Sequence, residues 1–555
     1  MFKAVLGCIL AVVGTATQAQ LPEVTLHSTS RLVVVDVIVS SPDGQPVTGL
    51  KQADFTVYEN GKPQPIRSFE AHTPESDAAQ ERATPPAPPL GPDEYSNVPR
   101  TAVLGSLNIV LLDTLNTPLL DQSQARRHML EFLKQMPRGQ HMAVFTLTAS
   151  RVHMIQNVTG DSAALIAAVD KLLISKSILL KADEERAEDL TILNSIAVFD
   201  AKKAQSIADF FGTVEKIQTE ERIQITLHAL QSIARAVAGY PGRKNLVWIS
   251  GGFPISFDPG DRYGGRYFGG ISFPENFASL VRETASLLAS SQVAIYPVDA
   301  RGLMTFSPPA DLPRGTARAV TSINADSNLD ILGVMKELAD LSGGKAFYNG
   351  NDLKAAIAQS ISLGSSYYTL AYAPSHPKWD GSFKKLKVDV ARAKVNLMYR
   401  RGYYALSDDA VPDKAALKED IVLSMMPINA ESTAILLSAT VTPNPSDGKV
   451  HVLCSVGPGQ ISSRDSQGHA RDLQIEFVVA GWDDKGHNTG DVAQMVRIGA
   501  GSHAADEIER NGLAKKEELA VKPGTTHLRI GVIDHNTGKI GTLDVPLAPA
   551  AHGGD

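Results

Sequence analysis

Cysteine is almost absent from this 555-residue chain, which has only Cys8 and Cys454, and aromatic residues make up just 6% of it. Two thiols cannot staple a set of small secreted modules, so stability has to come from large apolar cores. Blocks of basic charge are missing as well. The 53 Lys and Arg residues are outnumbered by 60 Asp and Glu, giving a net charge of −7 and no electrostatic footprint for nucleic acid or anionic lipid. Past the N-terminus no apolar run approaches the ~20 residues that a membrane helix needs. Familiar catalytic patterns are lacking too. There is no His-Glu-x-x-His, no Gly-x-Ser-x-Gly and no phosphate-loop spacing. Ser342-Gly343-Gly344-Lys345 satisfies Ser-x-x-Lys without the partner motifs of that chemistry, and it reads as a glycine stop after a helix.

What is present begins with Met1-Phe2-Lys3, a short apolar stretch over 4–13 and small residues ending Thr17-Gln18-Ala19-Gln20. One cation, an apolar core and a small-residue exit describe a secretory signal peptide over 1–19. Val5-Leu6-Gly7-Cys8 resembles a lipoprotein box, but too few residues precede Cys8 for both a charged region and an apolar core. Removing 1–19 leaves Cys454 alone, so no intramolecular disulfide is expected in the mature chain. Export without disulfides points to a bacterial periplasmic or secreted protein, with no transmembrane segment in the mature chain.

Residues 24–72 alternate as strands, with a hairpin signal at Asn60-Gly61, and read as an N-terminal β module. Seven prolines in 73–100 predict an extended, solvated linker. From 101 to 364 short apolar strands alternate with helical patterns, the signature of a mostly parallel sheet covered on both faces. A charged stretch at 175–219 reads as a solvated helical insertion ahead of a helix at 223–238. The pattern reverts to β over 365–405, and the similar composition of the two flanks predicts that they pair with each other. After a polar stretch at 407–419, residues 415–547 read as a second sandwich-like domain.

Asp113-Thr114-Leu115-Asn116-Thr117 directly follows the apolar run Asn108-Ile109-Val110-Leu111-Leu112. A carboxylate at the carboxyl end of a buried parallel strand, followed by hydroxyl and amide groups, can surround a hard cation such as Mg²⁺. The same pentapeptide also reads as a plain turn or helix cap. Downstream, residues 258–270 hold five glycines with Tyr263 and Tyr267, a surface loop able to meet a partner at that face.

Three separated segments carry a resemblance: the strand ending in Asp113, Gly242-Arg243-Lys244-Asn245-Leu246-Val247-Trp248-Ile249-Ser250-Gly251-Gly252-Phe253-Pro254, and Val293-Ala294-Ile295-Tyr296-Pro297-Val298-Asp299. With Asp54-Phe55-Thr56-Val57-Tyr58 before them and Arg400-Arg401-Gly402-Tyr403-Tyr404 after, the region from about 24 to 405 resembles exported von Willebrand factor A-related proteins of the acidobacterial type. The resemblance implies an α/β fold with a mostly parallel six-stranded sheet, helices on both faces, and a binding site at the strands' carboxyl ends. Its metal-site pattern is Asp-x-Ser-x-Ser, a Thr in a second loop and an Asp in a third. Here Asp113 fits, Leu115 replaces the middle Ser, Thr117 replaces the last, and Gly251 stands where the third-loop Asp is expected. Asn116 and Ser250 can partly substitute. Thr226 is the nearest second-loop Thr, on a segment that reads as helix.

The resulting expectation is a non-enzymatic adhesion or scaffolding protein. It binds an unidentified envelope or extracellular protein through Asp113, Asn116, Thr117, Ser250, Tyr263 and Tyr267. A divalent cation would be held by the first four residues, on a degenerate motif. The competing expectation is an envelope hydrolase using an acidic pair such as Asp113 and Asp299.

Overall fold

A computed structural model describes residues 32–547 apart from 86, 101–102, 104, 138, 173, 175, 181–187, 190, 194, 197, 253–274, 302–334, 349, 351, 376–378, 407–413, 428, 445–447 and 466–468. The expected signal peptide and the Tyr263/Tyr267 loop lie outside the described residues.

Strands β1 (Val33–Ser40), β2 (Phe55–Glu59), β3 (Lys62–Gln64) and β4 (Ile66–His72) open the chain. Asn60 and Gly61 both take positive φ, 49° and 80°, the backbone that lets a two-residue hairpin follow strand twist. None of these strands forms a sheet with its own neighbours alone. β1 and β4 both pair antiparallel with β11 (Tyr367–Tyr372), and β2 pairs with β12 (Phe383–Val390). With β13 (Asn396–Met398) and β14 (Gly402–Tyr404), they build two four-stranded sheets, ordered β13-β1-β11-β4 and β14-β12-β2-β3. Val35, Val37, Val57, Leu370, Tyr372 and Val388 fill the core that these strands share. The α/β unit is therefore threaded between β4 and β11 of one sandwich.

The expected linker at 73–100 is corrected by the structure. Thr73 caps helix α1 (Pro74–Ala83), its hydroxyl accepting from the Ser76 amide. Pro74 stands at the start of this helix, where a missing N–H costs nothing. Residues Glu94–Ser96 form β5, which pairs with a strand of the C-terminal sandwich. The buried Asn97 side chain then donates to the carbonyls of Ser432, Ile435 and Thr542 and accepts from the Leu437 amide. Proline counting missed this because the pairing partner lies more than 300 residues away in sequence.

The central sheet contains β6 (Leu107–Asp113), β7 (His141–Leu147), β8 (Val152–Thr159), β9 (Lys244–Ser250) and β10 (Val293–Asp299), in the order β10-β9-β6-β7-β8. All neighbours are parallel except β8, which runs antiparallel to β7. Among the described residues the expected sixth strand shrinks to one parallel bridge, Val298 to Phe347. β6 and β9 are buried along their whole length, and their side chains divide by strand period. Leu107, Ile109, Leu111, Leu246 and Trp248 meet Leu227 and Leu230 of the long helix on one face. Val110, Leu112, Val247 and Ile249 meet Met129 and Phe132 on the other.

The covering helices are α2 (Leu119–Leu133), α3 (Ser162–Asp170), α4 (Ala201–Ala236), α5 (Glu275–Ser290) and α6 (Leu353–Gly364). α4 corrects the expected boundary at 219. It is one 36-residue helix that starts at Ala201, capped by the Asp200 carboxylate on the Lys203 amide. Helix α7 (Lys414–Met425) occupies part of the stretch read as polar connection.

Beyond it lie two more four-stranded sheets. One is β19-β16-β15-β5, the other β18-β17-β20-β21, and helix α8 (His503–Asn511) packs Ala505 and Ile508 against their core. These strands are β15 (Leu437–Asn444), β16 (Lys449–Val456), β17 (Leu473–Trp482), β18 (Asn488–Ile498), β19 (Leu513–Ala520), β20 (His527–Asp534) and β21 (Lys539–Pro546). Among the described residues no helix is long and apolar enough to cross a membrane.

Candidate functional site

In chain order the central strands run β6, β7, β8, then back across β6 to β9 and β10, so the connections leaving the adjacent strands β6 and β9 diverge. In an open α/β sheet the crevice beyond the carboxyl ends at such a switch point is where ligands bind. Asp113 is the last residue of β6 and Ser250 the last of β9, and the two are buried there side by side.

The loop after β6 is pinned at both sides. Thr114 and Leu115 donate backbone N–H groups to the Leu147 carbonyl at 2.8 and 3.1 Å. Gln122, on the first turn of α2, donates its Nε2 to the carbonyls of Thr114 and Thr117. Leu115, at a position where the metal-site pattern has Ser, is fully buried in the core instead.

Asp113 is held by neutral donors. Its Oδ2 accepts from Asn116 Nδ2 at 2.9 Å, Trp248 Nε1 at 3.0 Å and Ser250 Oγ at 2.8 Å, while Oδ1 accepts from the Asn116 amide at 2.9 Å. Burial pushes its carboxyl above the ordinary carboxylate value of 3.8, and the bonds from Asn116, Ser250 and Trp248 pull the other way. Asn116 extends the network into α4. Its Nδ2 also reaches Thr226 Oγ1 at 2.9 Å, and its Oδ1 lies 3.3 Å from Arg222 Nη1. Thr117 Oγ1 accepts from the Gly251 amide at 2.8 Å.

The structure thus gathers Asp113, Asn116, Thr117 and Ser250 into one connected cluster and adds Thr226 from a helix, not from a loop. Sequence reading missed Trp248 and Arg222. The signals were available: Asp113, Trp248 and Ser250 continue the strand face that begins with Ile109, Leu111 and Leu246, and Arg222 and Thr226 are four apart on one helix face.

The absent third-loop carboxylate has a steric cause. A Cβ at Gly251 would stand 2.8 Å from the Asn116 carbonyl oxygen and 3.1 Å from Thr117 Cα. The first loop has closed onto that position, so Asp cannot enter without moving it. Asp299 is in register with Ser250 but one strand further out, and Arg301 grips its two carboxylate oxygens at 2.9 and 3.0 Å. That places Asp113 and Asp299 about 10 Å apart, two strand spacings. A divalent cation would find one carboxylate here, its Oδ2 already accepting three bonds, where hard cations take six or more oxygens. This donor set does not fit a resident dication. Among the described residues no group of three or more His, Cys, Asp and Glu could hold one elsewhere.

The cavity at the cluster, lined by Asp113, Thr114, Thr117, Gln122, Arg126 and Thr146, measures about 20 Å³. It suits one water molecule, far below the 300–1,000 Å³ typical of small-molecule sites. Beside it, at the start of α2, Leu119 and Leu120 are 46% and 76% exposed.

No protein-family model matches the chain, and the search of curated proteins returned no match. Among solved structures, similar chains include an aerotolerance-related membrane protein from Bacteroides fragilis, 13% identical, covering 46% of this chain and 98% of that one at a TM-score of 0.24. The SpRpn10 VWA domain is 10% identical over 47% of this chain and 97% of its own, at 0.20. A von Willebrand factor type A structure from Catenulispora acidiphila is 8% identical over 88% of this chain and 74% of its own, also at 0.20. These overlaps are weak. The class defined here, a mostly parallel α/β sheet inserted into a β-sandwich and followed by a second sandwich, rests on the strand pairing itself.

Proposed function

We propose that this is an exported, non-enzymatic adhesion or scaffolding protein whose partner docks over the carboxyl ends of β6 and β9. The observation that carries this reading is the switch-point cluster. It lies at a switch point, yet its cavity holds about one water, and two leucines stand exposed just after its loop, at the start of α2. Macromolecular contact uses such a surface; turnover of a small substrate does not. On this reading Asp113 organises the loop without a metal ion, and the contact is made by the rim around Thr114, Leu119 and Leu120.

The test is crosslinking mass spectrometry on native envelope material, comparing wild type with Leu120→Asp. Crosslinks from one partner should map to residues 114–126 and be lost in the variant, while its melting temperature is unchanged. Crosslinks retained by the variant, or mapping to another face, would refute the proposed docking site.

A further inference from the structure

A second surface, remote in character from the Asp113 cluster, lies on the first half of α4. Ile207, Phe210, Val214 and Ile217 follow the 3-4-3 spacing of a coiled-coil seam. Phe210 is 63% exposed, Ile217 58% and Val214 37%. The second half of the same helix buries Ile223, Leu227, Leu230 and Ala234 in the α/β core. At about 100° per residue, the two stripes lie roughly 150° apart around the helix axis. The first half therefore turns its apolar face away from the α/β core. Two seam residues, Phe210 and Val214, line a groove of about 490 Å³ together with Ile178, Leu180 and Phe211.

Charge along the helix indicates what covers it. Lys202 and Lys203 stand at the N-terminal end of the stripe, Glu220 and Glu221 at the other. We propose that the seam pairs with a second copy of this chain, the two α4 helices running antiparallel about a two-fold axis near residue 212. In that register Phe210 meets Val214 of the other copy and Ile207 meets Ile217, giving four apolar layers. Lys203 then faces Glu221 at both ends. A parallel pair would instead set like charges together. An anionic membrane is a poor occupant, because Asp209, Glu215, Glu220 and Glu221 border the stripe. The pairing is isologous and closes at two copies. A seam of this length buries on the order of 1,000 Å², the low end for specific complexes, so association should depend on concentration.

Sedimentation equilibrium of the full chain across the micromolar range tests this. The mass should rise from one copy to two, and Phe210→Asp combined with Ile217→Asp should weaken association by about 100-fold or more. Lys203→Glu and Glu221→Lys should each weaken it, and the double charge swap should restore it. Circular dichroism and melting temperature, unchanged in all variants when measured at concentrations where the wild type is also a single copy, separate lost pairing from lost folding. A wild type that stays monomeric throughout, a Phe210→Asp/Ile217→Asp variant that still dimerises, or a double swap without rescue would each overturn the proposal.

Discussion

The two ends of the central sheet solve the same problem, buried polar groups, in opposite ways. At the amino end, Arg243 and Lys244 are each 2% exposed where β9 begins. Arg243 donates to the Tyr296 hydroxyl, the Gly343 carbonyl and Asn245 Oδ1, and its amide donates to the Tyr367 hydroxyl. Asp36 of β1 lies 3.9 Å from the guanidinium and accepts from Thr369. Opposite charges from the sheet and the sandwich thus meet across the insertion point and seal it. At the carboxyl end of β6 the Asp113 carboxylate is held by neutral donors, with no second carboxylate in its cluster, and Leu119 and Leu120 after the loop are exposed. The amino end is sealed by a buried charge pair; the carboxyl end is the face on which the proposed docking site lies.

The largest effect should come from breaking the sealed end. Arg243→Met leaves Asp36, the Tyr296 hydroxyl and the Gly343 carbonyl without their buried cation, and stability in urea should fall by about 3–5 kcal/mol. Asp113→Ala should cost about 2–3 kcal/mol by stranding the Trp248, Ser250 and Asn116 donors, and Asp113→Asn distinctly less. If Asp113→Ala were silent, the carboxylate would not be organising the loop. Gly251→Asp restores the residue that the metal-site pattern expects, yet it should lose about 1–3 kcal/mol to the collision with the Asn116 carbonyl. A gain of stability on adding Mg²⁺ to that variant would show that the loop can reopen.

A smaller effect comes from pH. Burial lowers the Lys244 pKa from 10.5 to about 8, with Asp36 acting in the opposite direction. Between pH 8 and 10.5 the unfolded chain therefore holds the proton that the folded chain has released. Stability should rise with pH from 8 towards 10, by at most about 1.4 kcal/mol per unit, before the tyrosines begin to titrate. Chemical denaturation at pH 8 and 9.5 should show a rise in wild type that is missing in Lys244→Met.

Sequence reading reached furthest where periodicity is local. The all-apolar strands Leu107–Asp113 and Lys244–Ser250 could be seen in short windows, and Asp113 was legible as the residue ending one of them. Long-range pairing was not visible in this way. β5 is three residues of a proline-rich stretch whose strand character depends on β15, and α4 reads as two segments because the apolar stripes of its halves lie on different faces. The site was half legible. Asp113, Asn116, Thr117 and Ser250 follow from their strand ends, but Gly251 looked like a missing ligand until the structure showed the Asn116 carbonyl filling the space above it.

Thermal unfolding with and without Mg²⁺, Mn²⁺ or Ca²⁺ bears most directly on the account of the carboxyl end. A cation bound only by the folded chain at 100 times its Kd would add about 2.7 kcal/mol. Wild type should melt at the same temperature with each ion as with chelator; a saturable rise that Asp113→Asn abolishes would contradict a binding face that works without metal.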